Sequence, residues 1–311
     1  MDTLDRLIQL AQIKGRIDVQ CRFGGNWYVR HNHLNAQGLV HIVTGGSGWL
    51  LVDNETAPRL LQSGDVVFFP RLAAHTLSSR ADGLNHSDTP SSGRNGIFTL
   101  KQSGNGQDLQ LFCARFEYQP HSDLINGLPE MVMTHLPDDA VHPLTALLLA
   151  ESGGKLAGSA AVVDSLAEVL LVLIMRSHLE HSSASLTGLL QGWQDKRLNR
   201  LIQAVLEDTQ SQWPIERMAA TAQLSRAQLI RVFKQQTGFS PHAFVTHIRL
   251  QHAAMLLRQT PDSVLSIALA CGFQSETHFG KAFKKQYGIT PGHYRKHGFN
   301  VQEAAISEYC I

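Results

Sequence analysis

No stretch of about eighteen uncharged apolar residues occurs in this chain; the best candidate, Ala160 to Met175, is interrupted by Asp164 and Glu168. A membrane span is therefore not expected. The first residues, Met1-Asp2-Thr3-Leu4-Asp5-Arg6, lack the basic patch and apolar run of an export signal, so a cytoplasmic location with no membrane partner is expected. Cysteine is scarce. Cys21, Cys113, Cys271 and Cys310 stand far apart with no CxxC pair, which argues against a disulfide scaffold and a structural zinc motif.

Net charge is also nearly absent, +1 over 311 residues, but that value hides an asymmetry. Residues 193–298 carry 14 Lys and Arg against 6 Asp and Glu, a net +8, whereas residues 1–192 carry 13 against 18, a net −5. The basic half suits a polyanionic partner. The length suits two domains, each able to bury its own core.

The basic half also repeats itself: residues 231–244 align without a gap on residues 281–294, through Phe233 and Phe283, Lys234 and Lys284, Gly238 and Gly288, Pro241 and Pro291. A repeated unit with one basic face fits two contacts on double-stranded DNA. Punctuation residues predict the helices. Pro214 opens a short helix with Ile215, Met218 and Ala219 as its apolar stripe, ending near Ala222; Gln223-Leu224 turns; Ser225 caps a second helix that points Leu229 and Phe233 inward and stops at Gly238. Ser240-Pro241 starts a long helix to about Leu257. The pattern then restarts, with Ser263 as cap, Leu265, Ala268 and Leu269 as stripe, Gly272 at the bend, Ser275 as cap, Phe279 and Phe283 inward, Gly288 as stop and Thr290-Pro291 as the next cap. This predicts two helix-turn-helix units joined by one helix.

In such a unit the second helix lies in the major groove. With the apolar positions inward, the outward face of the first copy is Arg226, Ala227, Ile230, Arg231 and Lys234, and that of the second is Glu276, Thr277, His278, Lys281 and Lys284. Arg231 can pair with guanine O6 and N7, and Thr277 and His278 can reach base edges or phosphates. Lys284, Lys285, Arg295 and Lys296 suit phosphates.

Ile267-Ala268 through Gly272-Phe273, Ser275 through Lys285, Gly288, Thr290-Pro291 and Tyr294-Arg295 resemble the signature of the AraC/XylS family of bacterial transcription regulators. The resemblance implies recognition helices entering successive major grooves on one face of DNA. Base contacts would come from Ala227, Ile230 and Arg231, and from Thr277, His278 and Lys281, with RNA polymerase as a further partner. Ala227 and Ile230 are short or apolar, which favours thymine methyls over hydrogen-bonded readout.

Residues 20–118 read as short strands, at 40–43, 48–52, 66–69 and 109–116, with turns at Gly45-Gly46 and Asp53-Asn54. Gly64-Asp65-Val66-Val67-Phe68-Phe69-Pro70 followed by His75 resembles the second motif of the cupin barrel. His31-Asn32-His33 resembles the first, except that its glutamate is missing and Gln37 stands nearby. The resemblance implies an effector-binding barrel with no cofactor required, in which His31, His33 and His75 form a candidate imidazole site for a divalent metal. Either Cys113 is a small core residue and Cys21 incidental, or the two form a redox pair. Ser78 to Asn95 reads as a loop and a candidate lid. Across its length the chain resembles the cupin-type subgroup of efflux and reactive-chlorine-responsive regulators, which implies a hydrophobic toxicant or an oxidant as small-molecule effector.

Leu144–Ala150 and Val162–Leu179 read as helices; Val162, Leu166, Val169, Leu170 and Leu173 form a stripe broad enough to bury against the barrel and against a partner, where homodimerisation is expected. The expected architecture is an α+β two-domain chain. Residues 1–181 form a cupin-like antiparallel β-barrel with a helical dimerisation region, 182–193 a linker, 194–298 an all-α DNA-binding domain with two helix-turn-helix units, and 299–311 a tail. The expected function is ligand-responsive, sequence-specific transcription activation of efflux or stress-defence genes. A cupin metal-dependent enzyme fused to a DNA-binding module and an architectural DNA binder are the alternatives.

Overall fold

The computed structural model describes residues 2–32, 37–53, 55–71, 73–82, 90–119, 121–153, 156–181 and 186–297. In chain order the elements are α1 (Thr3–Ala11), β1 (Lys14–Phe23), β2 (Tyr28–His31), β3 (Gln37–Val52), β4 (Arg59–Gln62), β5 (Asp65–Phe69), β6 (His75–Ser78), β7 (Ser91–Asn95), β8 (Phe98–Gln102), β9 (Leu109–Glu117), α2 (Asp123–Asn126) and β10 (Val132–His135). Ten helices follow: α3 (Asp138–Ser152), α4 (Ser159–His181), α5 (Gly188–Gln194), α6 (Asn199–Glu207), α7 (Ile215–Ala222), α8 (Arg226–Thr237), α9 (Pro241–Gln259), α10 (Val264–Ala270), α11 (Glu276–Tyr287) and α12 (Pro291–His297). No helix among the described residues is long and apolar enough to cross a membrane.

The chain divides into two compact units, and the division differs from the expected boundary at residue 181. Lys14–Tyr118 and Glu130–His181 form one unit; residues up to Ile13, Gln119–Pro129 and the described residues from Leu186 onward form the other. The physical reason is burial. Helix α1, closed by a capping box between Asp2 and Asp5, buries Leu4, Leu7, Leu10 and Ala11 against α2, α6 and α9. Of the expected linker, residues 188–193 lie in α5, which buries Leu189 and Leu190 and packs on α6 and α8. Residues 182–185 and the 299–311 tail lie outside the described residues.

In the first unit one sheet runs β10-β5-β3-β9-β1-β8-β7, antiparallel except for the parallel β1–β8 pair. The second half of β3 crosses into another layer, where it pairs with β4 and β6, and β6 pairs with β2. The expected turn at Gly45-Gly46 is instead a β-bulge within one continuous strand, marked by a register shift against β9 between Val43 and Gly45. Gly46 has φ +72°, and a Cβ there would lie 2.0 Å from the carbonyl oxygen of Asp108, so the strand bends only because no side chain is present. At Asp53-Asn54 the strand ends, with Asn54 outside the described residues. Phe23, Trp27, Leu50, Phe69, Leu77 and Leu111 fill the interior. Of the expected lid, Ser91–Asn95 is an edge strand on β8, and residues 83–89 lie outside the described residues.

Helix α4 packs on β1, β10 and α3, but not with the expected stripe. Val163, Ala167, Leu170, Leu171, Ile174 and Met175 face inward. Val162 and Val169 are 38% and 50% exposed, so of the expected set only Leu170 is buried. The helix is apolar on nearly every side, and periodicity cannot choose between two such faces.

The second unit contains the repeat. Ser225 and Ser275 cap α8 and α11 through the amides of Gln228 and His278, and both helices end at glycines, Gly238 and Gly288. The two copies are not superposable through the turn. The main-chain bond Leu224 N–H to Ala219 O recurs as Phe273 N–H to Ala268 O, an offset of 49, whereas the caps are offset by 50; Gln274 is the extra residue. The expected α10 stripe also differs, since Ile267 and Ala268 are buried while Leu265 and Leu269 are 45% and 48% exposed. Again the helix is apolar all round.

The left-handed turn residue is Gln223 in the first copy and Gly272 in the second. A Cβ on Gly272 would lie 2.7 Å from the carbonyl oxygen of Gln210 and 2.8 Å from the guanidinium of Arg249. Gly272→Ala should therefore destabilise the full chain by at least about 1–2 kcal/mol in urea unfolding, while Gln223→Gly should leave it as stable or more so. Equal stability of Gly272→Ala and wild type would contradict the packing.

Candidate functional site

The two helices expected to read DNA, α8 and α11, are each anchored by an apolar side and leave a polar side to solvent. In α8, Leu229, Val232 and Phe233 are buried; Arg226, Ala227, Ile230, Arg231 and Lys234 are exposed, Ile230 by 47%. In α11, Phe279, Phe283 and Tyr287 are buried; Glu276, Thr277, His278, Lys281, Lys284 and Lys285 are exposed. Arg231, Lys234, Lys281, Lys284 and Lys285 make no ion pair among the described residues, so their charge is available to a ligand. Two expected contacts are engaged within the chain. Arg226 pairs with Glu216 of α7 at 3.0 Å. Arg295 is half-buried and donates from a terminal guanidinium nitrogen to the Asp262 carbonyl ahead of α10.

Helix α9 positions both α8 and α11. It buries Phe244, Val245, Ile248, Leu250, Ala253, Ala254 and Leu257 and packs on α7 and α8 at one end and on α10, α11 and α12 at the other. Polar contacts from His121 and Asp123 hold it, and one from Gln119 holds α12. Asp123 accepts from His247 Nε2 at 2.9 Å and from Gln251 at 3.0 Å, Gln251 also donates to the His121 carbonyl at 2.6 Å, and Tyr294 donates to Gln119 at 2.7 Å. Burial lowers the His247 pKa. The hydrogen bond and charge of Asp123, with a bond to Gln286, outweigh that and leave it raised above its ordinary 6.5. Nothing in the local sequence signals this anchor.

Inside the barrel, His31 of β2 stands directly opposite His75 of β6, and the rings stack with centroids 4.7 Å apart. Among the described residues the third imidazole beside them is His41 of β3; the expected His33 lies outside the described residues. His41 Nε2 lies 2.8 Å from His75 Nε2, and its Nδ1 lies 3.2 Å from the sulfur of Cys113, its register partner on β9. All three donor atoms lie within 4.8 Å of one another. Burial pushes the His31 and His41 pKa values well below 6.5, helped by the neighbouring imidazoles, and pushes that of His75 down to about 4. The cluster is therefore neutral imidazole at physiological pH. Cys21 and Cys113 share the inward face of adjacent strands, Cys21 opposite Leu111 and Cys113 opposite Val19, and both are buried free thiols. Diagonal neighbours stand about 7–8 Å apart, so joining them requires backbone movement.

A cupin family model matches residues 2–180, and a helix-turn-helix domain model matches residues 218–297. Over 300 residues the chain is 55% identical to the HTH-type transcriptional regulator MtrA of Neisseria gonorrhoeae, covering 96% of this chain and 99% of that one. The chain belongs to the AraC/XylS family. It is 41% identical over 299 residues to an HTH-type transcriptional regulator of Haemophilus influenzae, covering 95% and 99% of the two chains. It is 28% identical over 304 residues to the RCS-specific HTH-type transcriptional activator RclR of Escherichia coli, covering 95% and 98%. The protein is thus a DNA-binding transcription regulator with a cupin domain, and the enzyme alternative is set aside.

The His247 shift fixes the sign of a pH effect in this regulator. A histidine whose folded pKa is raised contributes stability that is fully present below about 6.5 and fades as pH rises through the folded value. Asp123→Asn should cost about 1.5–3 kcal/mol at pH 5.5 and distinctly less at pH 8.5, by urea unfolding of the full chain. An equal cost at both pH values would contradict a charged pair.

Proposed function

We propose that α8 and α11 read DNA unequally. Arg231 takes a guanine edge, with Ala227 and Ile230 against thymine methyls, while Thr277, His278 and Lys281 supply a fuller polar reading face. Glu276 accepts from a neighbouring base, and Arg226, Lys234, Lys284, Lys285 and Arg295 border the phosphates. The observation that carries this reading is the pair of capped helices, mounted on one buried helix, on which Arg231, Lys234, Lys281, Lys284 and Lys285 are exposed and make no ion pair among the described residues, Arg226 alone being paired with Glu216. In this reading the regulator is cytoplasmic and homodimeric, engages RNA polymerase as an activator, and controls efflux or stress-defence genes. The exposed Leu265 and Leu269 of α10 offer the polymerase an apolar contact.

The barrel is the effector domain in the same proposal. Its signal is a hydrophobic toxicant or an oxidant, the latter acting through Cys21 and Cys113, and its histidines take up a divalent metal ion. The RCS-specific relative supports the oxidant form. Dimerisation uses the outer side of α3 and α4, where Leu147, Leu149, Val162 and Val169 are all more than a third exposed, together with the exposed Leu156 between the two helices.

Arg231→Ala should cost about 1–3 kcal/mol on the specific duplex and relax discrimination at one base pair, whereas Lys284→Ala should weaken specific and random duplexes about equally and flatten the salt dependence. Equal losses on both duplexes for Arg231→Ala would remove it as a reader. For the dimer, Val169→Glu should convert a two-chain species to one chain by light scattering while leaving the circular dichroism spectrum unchanged. A Val169→Glu dimer would contradict this face.

A further inference from the structure

We propose that the barrel binds a late first-row transition-metal ion of the zinc class through the imidazole of His31 and Nε2 of His41 and His75, with the Cys113 thiol supporting the site from outside the ligand set. This rests on reading the barrel as the effector domain, and it departs from the usual cupin set, because no carboxylate takes part and the third imidazole comes from a different strand.

Three separate strands deliver the donors to one point. His75 Nδ1–H donates to the Ala73 carbonyl at 2.7 Å, which leaves Nε2 bare and pointing at the cluster. In the metal-free chain His41 must then donate from Nε2–H to His75 Nε2, and its bare Nδ1 accepts the Cys113 S–H. Metal-binding histidines commonly commit their second nitrogen to a carbonyl or another outer group, which fixes the tautomer and the ring orientation. His75 already has that arrangement. His41 reaches it by moving one proton from Nε2 to Nδ1, where the Cys113 sulfur becomes the acceptor; the exchange neither takes up nor releases a proton.

Ligand nitrogens about 2.0–2.1 Å from a tetrahedral ion stand about 3.4 Å apart, so the 2.8 Å between His41 and His75 needs to open by a fraction of an ångström, and the wider donor separations, up to 4.8 Å, need to close by about 1.4 Å as the His31 ring turns toward the ion. The ring of Phe69 stacks on His75 at 3.9 Å and holds it from behind. Arg30, the nearest cation in sequence, is turned to Asp53 in a two-point pair at 2.5 Å. Imidazole-only sites suit zinc and copper over magnesium or calcium. Three protein ligands leave a fourth position on the ion open to a small donor molecule.

The test uses the full chain without a histidine tag, stripped by a chelator, dialysed against Zn2+ and assayed for bound metal. Wild type should hold one Zn2+ per chain, and Co2+ in its place should give the intense visible absorption of four-coordinate cobalt. His41→Gln and His75→Gln should each retain less than about a tenth of the zinc, with circular dichroism unchanged. Cys113→Ala should keep one Zn2+ per chain at roughly tenfold weaker affinity in a chelator competition. Wild type without stoichiometric zinc, octahedral cobalt spectra, or full zinc content in both histidine variants would overturn the site. Complete loss of zinc in Cys113→Ala would overturn the supporting role of the thiol. Duplex binding measured on the same samples separates the two readings: zinc held by a chain that binds no DNA upholds the site and contradicts the proposed DNA interface.

Discussion

Both reading helices depend on the burial of a single helix. Helix α9 serves as the floor of two helix-turn-helix units, and a floor shared in this way must be apolar on more than one side. Phe244 meets Phe233 of α8 at 5.2 Å, while Leu250, Ala253, Ala254 and Leu257 join the cluster that contains Phe279, Phe283 and Tyr294. Fully burying such side chains contributes about 1.5–3 kcal/mol each, whereas the exposed Arg226–Glu216 pair contributes at most about 1 kcal/mol. Packing therefore sets where the helices stand, and charge is left for the ligand. A rigid floor also fixes the relation between the two reading faces, which a flexible joint would blur.

That division of labour extends to the barrel. Its interior is closed by aromatic and aliphatic side chains, yet three imidazoles are held among them. Burying polar rings in such a place is costly unless they bond to one another or to a ligand. The His41–His75 and His75–Ala73 contacts meet part of that requirement. The bulge at Gly45-Gly46 matters here, because it lets one strand serve both layers: His41 lies before the bend, and Val52, the register partner of His75, lies after it.

Much of the second unit was legible in the sequence, since caps and stops are local. Ser225, Ser275, Gly238 and Gly288 mark their helix ends by chemistry that needs no partner far away. Apolar all-round helices were not legible in the same sense: for α4 and α10 the pattern announced a helix but not its buried face. The barrel motif led to His31 and His75. His41 was missed because it sits in an ordinary strand, Val40-His41-Ile42-Val43, and acquires meaning only when β2 and β6 fold against β3. The anchoring of α9 by Asp123 joins residues 124 positions apart and carries no local mark.

In the proposed function α8 and α11 read one duplex from a common support, α9. Hydroxyl-radical footprinting of the full chain on its operator tests this directly. It predicts, for each bound chain, two protected patches about 10 base pairs apart on the same face of the duplex, with Lys281→Ala thinning one patch and sparing the other. A single protected patch per chain, or two on opposite faces, would contradict it.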